Sequence, residues 1–292
     1  MRGDNKTAVC LRLVCFFICA AILFLCSSCS ANDKKASSSI FSSNGSFAQV
    51  AANDQQISSK TSNFLSLDNT CIGWGVGKTN ANERPSYAES CNQKYKDYDA
   101  LFIGEDNKNV YLTFDEGYEN GYTATILDTL KDKKVKAVFF VTYDYVKKNP
   151  ELVKRMIDEG HTVGNHSYSH PSMPSKTVDE AREEIMKLHN IVKSEFNYEM
   201  KLFRFPMGEY SSRMLSLCKD CGYTSVFWSF AYVDWKVDSQ PIPSEALERA
   251  TNGAHNGAIY LLHAVSSTND IILGELIDNV AKSGYKWSEL KV

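Results

Sequence analysis

From Val110 onward, hydrophobic and polar positions follow a pattern that predicts strands regularly separated by helices. The continuous apolar run Ala137–Val141 is typical of a strand buried on both faces. Shorter apolar runs recur toward the C terminus, with amphipathic segments between them. The predicted strands are 110–114, 137–141, 161–164, 202–205, 224–228 and 258–262. The predicted helices are 123–133, 149–159, 177–196, 212–221, 244–250 and 272–283.

Regular alternation of strands and helices predicts a parallel α/β fold. About seven such units favour a barrel over an open sheet, which is the alternative. Residues 109–292 are therefore predicted to form the main domain, preceded by an irregular lead-in over 65–108 that packs against it. Functional groups of such folds gather at the carboxyl ends of the strands, so we expect the chemistry directly after them.

The first 29 residues have the pattern of an export signal or an N-terminal anchor. A basic start is followed by the apolar run 13–25 and then by small residues. The run is short for a membrane span of about 20 residues. Its end resembles a bacterial lipoprotein cleavage box with Cys29 as the lipid-bearing residue, although Cys26 stands where such boxes usually carry leucine. We predict an exported domain that is membrane-associated or secreted.

Composition limits the partners of the chain. Residues 30–64 are rich in Ser, Asn and Ala and poor in apolar residues, which predicts a flexible linker. The formal net charge is −3, and no basic patch indicates a nucleic-acid partner. We expect a monomer.

Four of the nine cysteines lie beyond the predicted export signal. Outside the cytoplasm, Cys71 and Cys91 are candidates for a disulfide. Cys218 and Cys221 have CxxC spacing, but they lie on one predicted helix without a second pair. We interpret them as ordinary thiols rather than zinc ligands.

Polar residues that suit metal-assisted hydrolysis follow the predicted strands. They are Asp115-Glu116, Asn165–His170, Arg204–Gly208, Asp234-Trp235 and His263. His166 and His170 stand four residues apart, and their imidazoles suit a divalent metal ion. A carboxylate that remains free beside the ion would serve as a base. Each group is a weak signal alone, and the prediction depends on their common position at strand ends.

The same stretches resemble the motifs of the polysaccharide deacetylase family, also called the NodB-homology family. The matching stretches are Thr113–Gly117, His166–His170, Arg204-x-Pro206-x-Gly208 and Leu261–His263. Residues 111–122 and 226–236 look like the branch that deacetylates N-acetylmuramic acid to form the muramic δ-lactam of spore cortex. The resemblance implies a distorted parallel (β/α) barrel and a carbohydrate de-N-acetylase. It also implies peptidoglycan strands as the substrate and a divalent zinc, cobalt or manganese ion.

The resemblance also implies roles for the site residues. His166 and His170 would bind the metal, and Asp115 would be the general base that takes a proton from the attacking water. His263 would be the general acid that protonates the departing amine. Arg204 would hold Asp115 ionised through a charge-assisted hydrogen bond.

Two positions depart from the family pattern. Glu116 stands where most of the family has an Asp ligand and the δ-lactam branch has Asn. We predict it as the third metal ligand, with ligation through water or no ligation as alternatives. Ala231 stands where the family often has an Asp that tunes the acid histidine, which leaves Asp234 as the candidate for that task.

The remaining candidates would form the substrate pocket. Pro206 and Gly208 would shape the loop that lines the pocket. Trp235 would form a side of the pocket against the acetyl group or the sugar. The backbone N–H of Tyr210, or of a neighbour after Gly208, would stabilise the oxyanion together with the metal. Two alternative functions remain open. The first is deacetylation of N-acetylglucosamine, and the second is an inactive, envelope-tethered glycan-binding protein, which the presence of Asp115 and His263 disfavours.

Overall fold

The computed structural model describes residues 64–77 and 80–291. The predicted export signal with Cys29, and all of the predicted linker except residue 64, lie outside the described residues, so these remain predictions. Within the described ranges, none of the helices combines the length and the apolar character that a membrane span requires.

Short strands form the centre of the described domain. In chain order they are β1 (Ile72–Gly73), β2 (Ala100–Leu101), β3 (Asn109–Glu116), β4 (Ala137–Val141), β5 (Thr162–Asn165), β6 (Leu202–Phe203), β7 (Glu209–Tyr210), β8 (Thr224–Val226), β9 (Phe230–Ala231), β10 (Ile259–His263) and β11 (Lys286–Trp287). β1 and β7 form a separate antiparallel pair. The main sheet has the order β2-β8-β6-β5-β4-β3-β10-β9, with β11 beside β3. All its pairs are parallel, as the strand–helix alternation predicts.

One segment closes this sheet into a distorted barrel. β8 pairs with β6 and β9 pairs with β10, yet only three residues separate β8 from β9 in the chain. Between them, the Phe227 N–H donates to the carbonyl of Leu101 at 2.8 Å, and the Ser229 N–H donates to the carbonyl of Ile259 at 2.9 Å. The segment Thr224–Ala231 therefore contacts both ends of the sheet, and the predicted (β/α) barrel is confirmed.

Helices surround the sheet. They are α1 (Ser86–Lys94), α2 (Thr123–Lys133), α3 (Tyr143–Lys148), α4 (Pro150–Asp158), α5 (Val178–Phe196), α6 (Ser212–Asp220), α7 (Pro243–Asn252) and α8 (Ser267–Lys282). α5 begins with a capping box in which Thr177 and Glu180 satisfy each other's backbone N–H. It ends at Asn197 in the left-handed conformation. Single turns of 3₁₀ helix cover Lys96–Tyr98, Met173–Ser175 and Pro206–Gly208.

The lead-in over 65–108 is more regular than predicted. It contains β1 and α1, and its strand β2 joins the main sheet beside β8. α1 buries only Ala88 and Cys91, so its sequence lacks the apolar periodicity that marks a helix. α8 begins at Ser267 rather than at residue 272, because Ser266 caps it by accepting a hydrogen bond from the N–H of Asn269. The polar residues of this first turn concealed the start of the helix.

The candidate disulfide is wrong. Cys71 and Cys91 are both free thiols, the first exposed and the second buried. Burial raises the pKa of Cys91, whose thiol also contacts the hydroxyls of Tyr87 and Tyr210. Cys218 and Cys221 are free as well, with no zinc-type cluster of His, Cys, Asp or Glu in the described part of the chain. Burial raises the pKa of the Cys218 thiol, as expected for an ordinary core cysteine.

Candidate active site

A cavity of about 770 Å³ opens at the carboxyl ends of β3, β5 and β10. The sequence-predicted residues that line it are Asp115, His166, His170, Gly208, Trp235 and His263. They come from five separate groups of the sequence, and the barrel brings them together because parallel strands end at the same rim.

Asp115 is held by a fully buried arginine. Arg204 Nη1 donates to Asp115 Oδ1 and to Thr113 Oγ1, both at 2.8 Å. Its other nitrogens donate to the carbonyls of Val226 and Phe227, both at 3.0 Å. These bonds fix the guanidinium on several sides, so it orients the carboxylate as well as neutralising it.

The pKa of Asp115 lies below its ordinary value. Burial alone would raise it, but the positive charge of Arg204 and the neighbouring imidazoles of His166 and His263 outweigh that effect. The carboxylate is therefore ionised at neutral pH and able to accept a proton, as a general base requires.

His166 and His170 present neutral imidazoles to the same space. His166 Nδ1 lies 2.8 Å from the carbonyl oxygen of Arg204. A carbonyl only accepts, so Nδ1 carries the hydrogen and Nε2 keeps its lone pair. Nε2 lies 3.5 Å from Asp115 Oδ2, and the two imidazole rings are 4.8 Å apart. Burial lowers the pKa of His166 to about 4 and also lowers that of His170.

A tight loop, not a helical turn, places this pair. Ser167 and His170 both have positive φ, at 69° and 58°. The Ser167 N–H donates to Asn165 Oδ1, and the His170 N–H donates to Ser167 Oγ, both at 2.9 Å. These side-chain bonds hold left-handed backbone that would otherwise be unfavourable, and they turn both rings toward the cavity.

The donor set fits a divalent metal ion held by His166 and His170. Two unprotonated imidazoles beside an ionised carboxylate are the ligand types that zinc and related ions accept. Within the described residues, however, no group of three or more His, Cys, Asp or Glu side chains forms a ready metal cluster.

Glu116 does not join the histidines, so the geometry does not support our prediction of a third ligand. Its side chain is fully buried, and it is absent from the cavity lining. Neither carboxyl oxygen has a hydrogen-bond partner within residues 64–77 and 80–291. Successive residues of a strand point to opposite faces, and Asp115 already faces the cavity. Burial, followed by the charges of Glu119 and Asp115, raises the pKa of Glu116 well above 4.5.

His263 forms the opposite side of the site with Asp234. His263 Nδ1 lies 2.7 Å from Asp234 Oδ1, and its backbone N–H donates to Asp234 Oδ2 at 2.9 Å. Burial alone would lower the pKa of His263, but the charge and hydrogen bond of Asp234 outweigh it, and the pKa is raised. Asp234 thus occupies the position beside the acid histidine that Ala231 leaves vacant in the motif.

The predicted pocket residues fall into two groups. Trp235 is about half exposed, at 47 %, with its ring centroid 5.6 Å from that of His263. Gly208 also lines the cavity, whereas Pro206 is buried at the start of its 3₁₀ turn. Tyr210 lies outside the cavity, buried, with its backbone paired to Ile72 of β1. The geometry therefore does not support Tyr210 as the oxyanion donor.

Met207 and Trp228 are among the lining residues that sequence reasoning missed. Met207 is 54 % exposed and has φ 58° within the 3₁₀ turn. The loop is held from behind by Trp74, whose backbone N–H donates to the Gly208 carbonyl and whose indole N–H donates to the Trp228 carbonyl, both at 2.9 Å. Gly208 has φ 68°, and a Cβ there would come within 2.8 Å of the Trp228 ring. The Pro206-x-Gly208 motif flanks Met207, but motif spacing does not reveal its exposure.

Comparison with known proteins shows the family of the chain. The sequence profile of the polysaccharide deacetylase family matches residues 103–226. The chain is 40 % identical over 226 residues to the peptidoglycan-N-acetylmuramic acid deacetylase PdaA of Bacillus subtilis, covering 77 % of this chain and 86 % of that protein. It is 34 % identical over 181 residues to the peptidoglycan-N-acetylglucosamine deacetylase PgdA of Listeria monocytogenes, covering 62 % of this chain and 38 % of PgdA.

Comparison of structures gives the same relationship. The solved structure of Bacillus subtilis PdaA, described as a family 4 carbohydrate esterase, superimposes with a TM-score of 0.73 at 40 % identity. The match covers 76 % of this chain and 96 % of that chain. On these similarities, the chain belongs to the polysaccharide deacetylase family of carbohydrate de-N-acetylases.

Proposed function

We propose that this protein removes the acetyl group from N-acetylmuramic acid residues of peptidoglycan and releases acetate, with a divalent metal ion as cofactor. The observation that carries the proposal is one cavity that contains an ionised carboxylate, two neutral imidazoles and a carboxylate-paired histidine. The similarity to PdaA, whose name states N-acetylmuramic acid, supports muramic acid as the target sugar. Formation of the spore cortex δ-lactam outside the membrane is the process that this reaction would serve.

Asp115 acts as the base for the attacking water. Arg204 occupies Oδ1 at 2.8 Å, which leaves Oδ2 directed toward His166 Nε2 at 3.5 Å. A water held beside Oδ2 gives its proton to the carboxylate as its oxygen attacks the acetyl carbon. When bound by His166 and His170, a zinc, cobalt or manganese ion supplies Lewis acidity to this attack.

His263 acts as the acid. An amine is a poor leaving group until it is protonated, so cleavage of the C–N bond needs a proton donor. Asp234 accepts the Nδ1 hydrogen of His263 at 2.7 Å, which favours the protonated imidazole and leaves Nε2–H as the donor to the sugar nitrogen. The water attacks, the C–N bond breaks, and acetate and a free amine are formed.

Apolar surface at the cavity supports a sugar substrate. Trp235, Met207 and Tyr118 line it and are each about half exposed. An aromatic or thioether surface of this kind packs against the C–H face of a pyranose ring or against the acetyl methyl group.

N-acetylglucosamine is the second candidate sugar. The similarity to Listeria monocytogenes PgdA, whose name states that sugar, favours this alternative. The two candidates differ by the lactyl ether on the muramic acid, and both use the same residues.

The test is acetate release from purified peptidoglycan by protein loaded with Zn²⁺, Co²⁺ or Mn²⁺. The product is then digested with a muramidase. Mass spectrometry shows which sugar has lost its acetyl group, a decrease of about 42 Da. Muramic acid lacking acetyl, or δ-lactam, supports the proposal, and deacetylated glucosamine supports the alternative. If the loaded protein releases no more acetate than its Asp115→Asn variant from either sugar, the proposal is wrong.

A further inference from the structure

We propose that Asn269 is a positioning residue that holds the Asp234 carboxylate, and through it the acid histidine His263, in the productive orientation. The inference rests on the proposed function, in which His263 is the general acid. Asn269 lies in the first turn of α8, outside the motifs that identify the family, and only 1 % of its surface is exposed.

Asn269 contacts both members of the acid pair. Its Nδ2 donates to Asp234 Oδ2 at 2.7 Å and to the backbone carbonyl of His263 at 3.0 Å. Its own backbone N–H donates to Ser266 Oγ at 3.0 Å, so the helix cap fixes the main chain from which the amide projects.

The hydrogen-bond network allows only one orientation of this amide. A carboxylate and a carbonyl can only accept, so the NH₂ group must face Asp234 and His263. The amide oxygen then faces the hydroxyl of Tyr232, which donates to it. Tyr232 is buried as well. The result is a hydrogen-bonded chain in which Tyr232 donates to Asn269, and Asn269 and His263 both donate to Asp234.

This chain determines how the acid is presented. Asp234 Oδ1 receives His263 Nδ1, while Oδ2 receives the His263 backbone N–H and Asn269 Nδ2. Loss of Asn269 would leave Oδ2 one donor short and free the fully buried carboxylate to rotate. Rotation would weaken the bond at Nδ1 that favours the protonated imidazole, the form whose Nε2–H can serve as the proton donor. Asn269 does not line the cavity, so it acts without touching substrate.

The experiment compares Asn269→Leu and Tyr232→Phe/Asn269→Leu with the metal-loaded wild-type protein. We expect kcat to fall about 10- to 100-fold while KM changes less than about twofold, the range usual for residues that orient a catalytic group. The double variant removes the Tyr232 hydroxyl together with the Asn269 amide oxygen that accepts from it, so neither group is left unpaired. It is therefore expected to fold even where the single variant is destabilised. Thr268→Val is the matched control, because Thr268 is equally buried in the same turn but donates to the Pro241 carbonyl instead.

A second readout does not depend on the substrate. The Nδ1–H proton of a carboxylate-bonded histidine resonates far downfield in a proton NMR spectrum, and His263→Gln assigns that signal. We expect the signal in the wild-type protein and in Thr268→Val, and its loss or broadening in both Asn269 variants. An unchanged signal with unchanged kcat in the folded double variant would overturn the proposal. Because the signal reports the Asp234–His263 bond itself, this outcome is distinguishable from a failure of the proposed deacetylase activity.

Discussion

The last two residues of β3 carry carboxyl groups on opposite faces of the strand, and the comparison shows how neighbouring groups decide the charge of a buried carboxyl. Asp115 and Glu116 are neighbours in the chain, and both are buried. Asp115 faces the cavity, with Arg204 at 2.8 Å and His166 at 3.5 Å. Glu116 faces the other way, and neither of its oxygens has a partner among the described residues.

The difference shows that partners, not burial, decide the charge state. Burial raises the pKa of both groups. Only Asp115 has a nearby cation to reverse the effect, so its pKa ends below the ordinary value and that of Glu116 ends well above. One face of the strand therefore presents a base, and the other contains a carboxyl that is more stable when protonated.

The largest effect is expected from removing the base on the cavity face. Asp115→Asn keeps the shape of the side chain but cannot accept the proton, so kcat should fall by about 10³-fold. Acetate release from peptidoglycan measures it. Glu116→Gln, the matched change on the opposite face, should remain within a few-fold of wild type. Similar losses in both variants would show that the two faces do not differ in function.

Removing the cation of the same face should cost stability. Arg204→Met leaves Asp115 buried without its partner, and we expect a loss of about 3–5 kcal/mol in the free energy of unfolding. Urea denaturation followed by fluorescence measures it. Asp115→Asn/Arg204→Met should recover part of the loss, because the uncompensated charge is then absent. If the double variant is no more stable than Arg204→Met, the ion pair is not the cause.

Metal binding separates the two faces directly. His170→Ala removes one imidazole and should weaken Zn²⁺ affinity by at least about 10-fold, whereas Glu116→Gln should leave it within about twofold. Isothermal titration calorimetry on the metal-free proteins measures both. A loss of affinity in Glu116→Gln equal to that in His170→Ala would return Glu116 to the ligand set.

The smallest effect is expected in the pH dependence of protein stability, through Glu116 on the buried face of β3. With a folded-state pKa raised well above 4.5, Glu116 binds its proton more tightly in the native state. Its contribution to stability is therefore complete below about pH 4.5 and is lost as pH rises toward the folded-state pKa. Glu116→Gln does not titrate, so its melting temperature should exceed that of wild type by a few degrees at pH 8. The difference should vanish near pH 4, and a constant difference across this range would contradict the assignment.

Much of the fold and the site could be predicted because both depend on local patterns. The buried run Ala137–Val141, the capped helix after Thr177 and the motifs at the strand ends are all readable from neighbouring residues. The burial of Glu116 away from the cavity was not anticipated for a related reason. The predicted strand stopped at Phe114, so the alternation of faces was not extended to Asp115 and Glu116, although β3 continues through both.

What could not be predicted depends on contacts between distant parts of the chain. Trp74 holds Gly208 and the Trp228 carbonyl from a segment without any motif. Asn269 reaches Asp234 from a helix whose first turn was not predicted. Composition and periodicity carry no information about such pairs, because these residues meet only when the barrel has formed.

The segment Thr224–Ala231 also has a consequence for the order in which the protein folds. It contacts both ends of the sheet, so the ring cannot close until β10 has been synthesised. The same segment supplies the carbonyls of Val226 and Phe227, which accept hydrogen bonds from two of the Arg204 nitrogens. Because β8 pairs directly with β6, these acceptors reach Arg204 when β8 docks beside β6. His263 stands at the end of β10, so the acid histidine joins the other site residues only when β10 pairs with β3 and β9. The catalytic centre is therefore complete only when the barrel has closed.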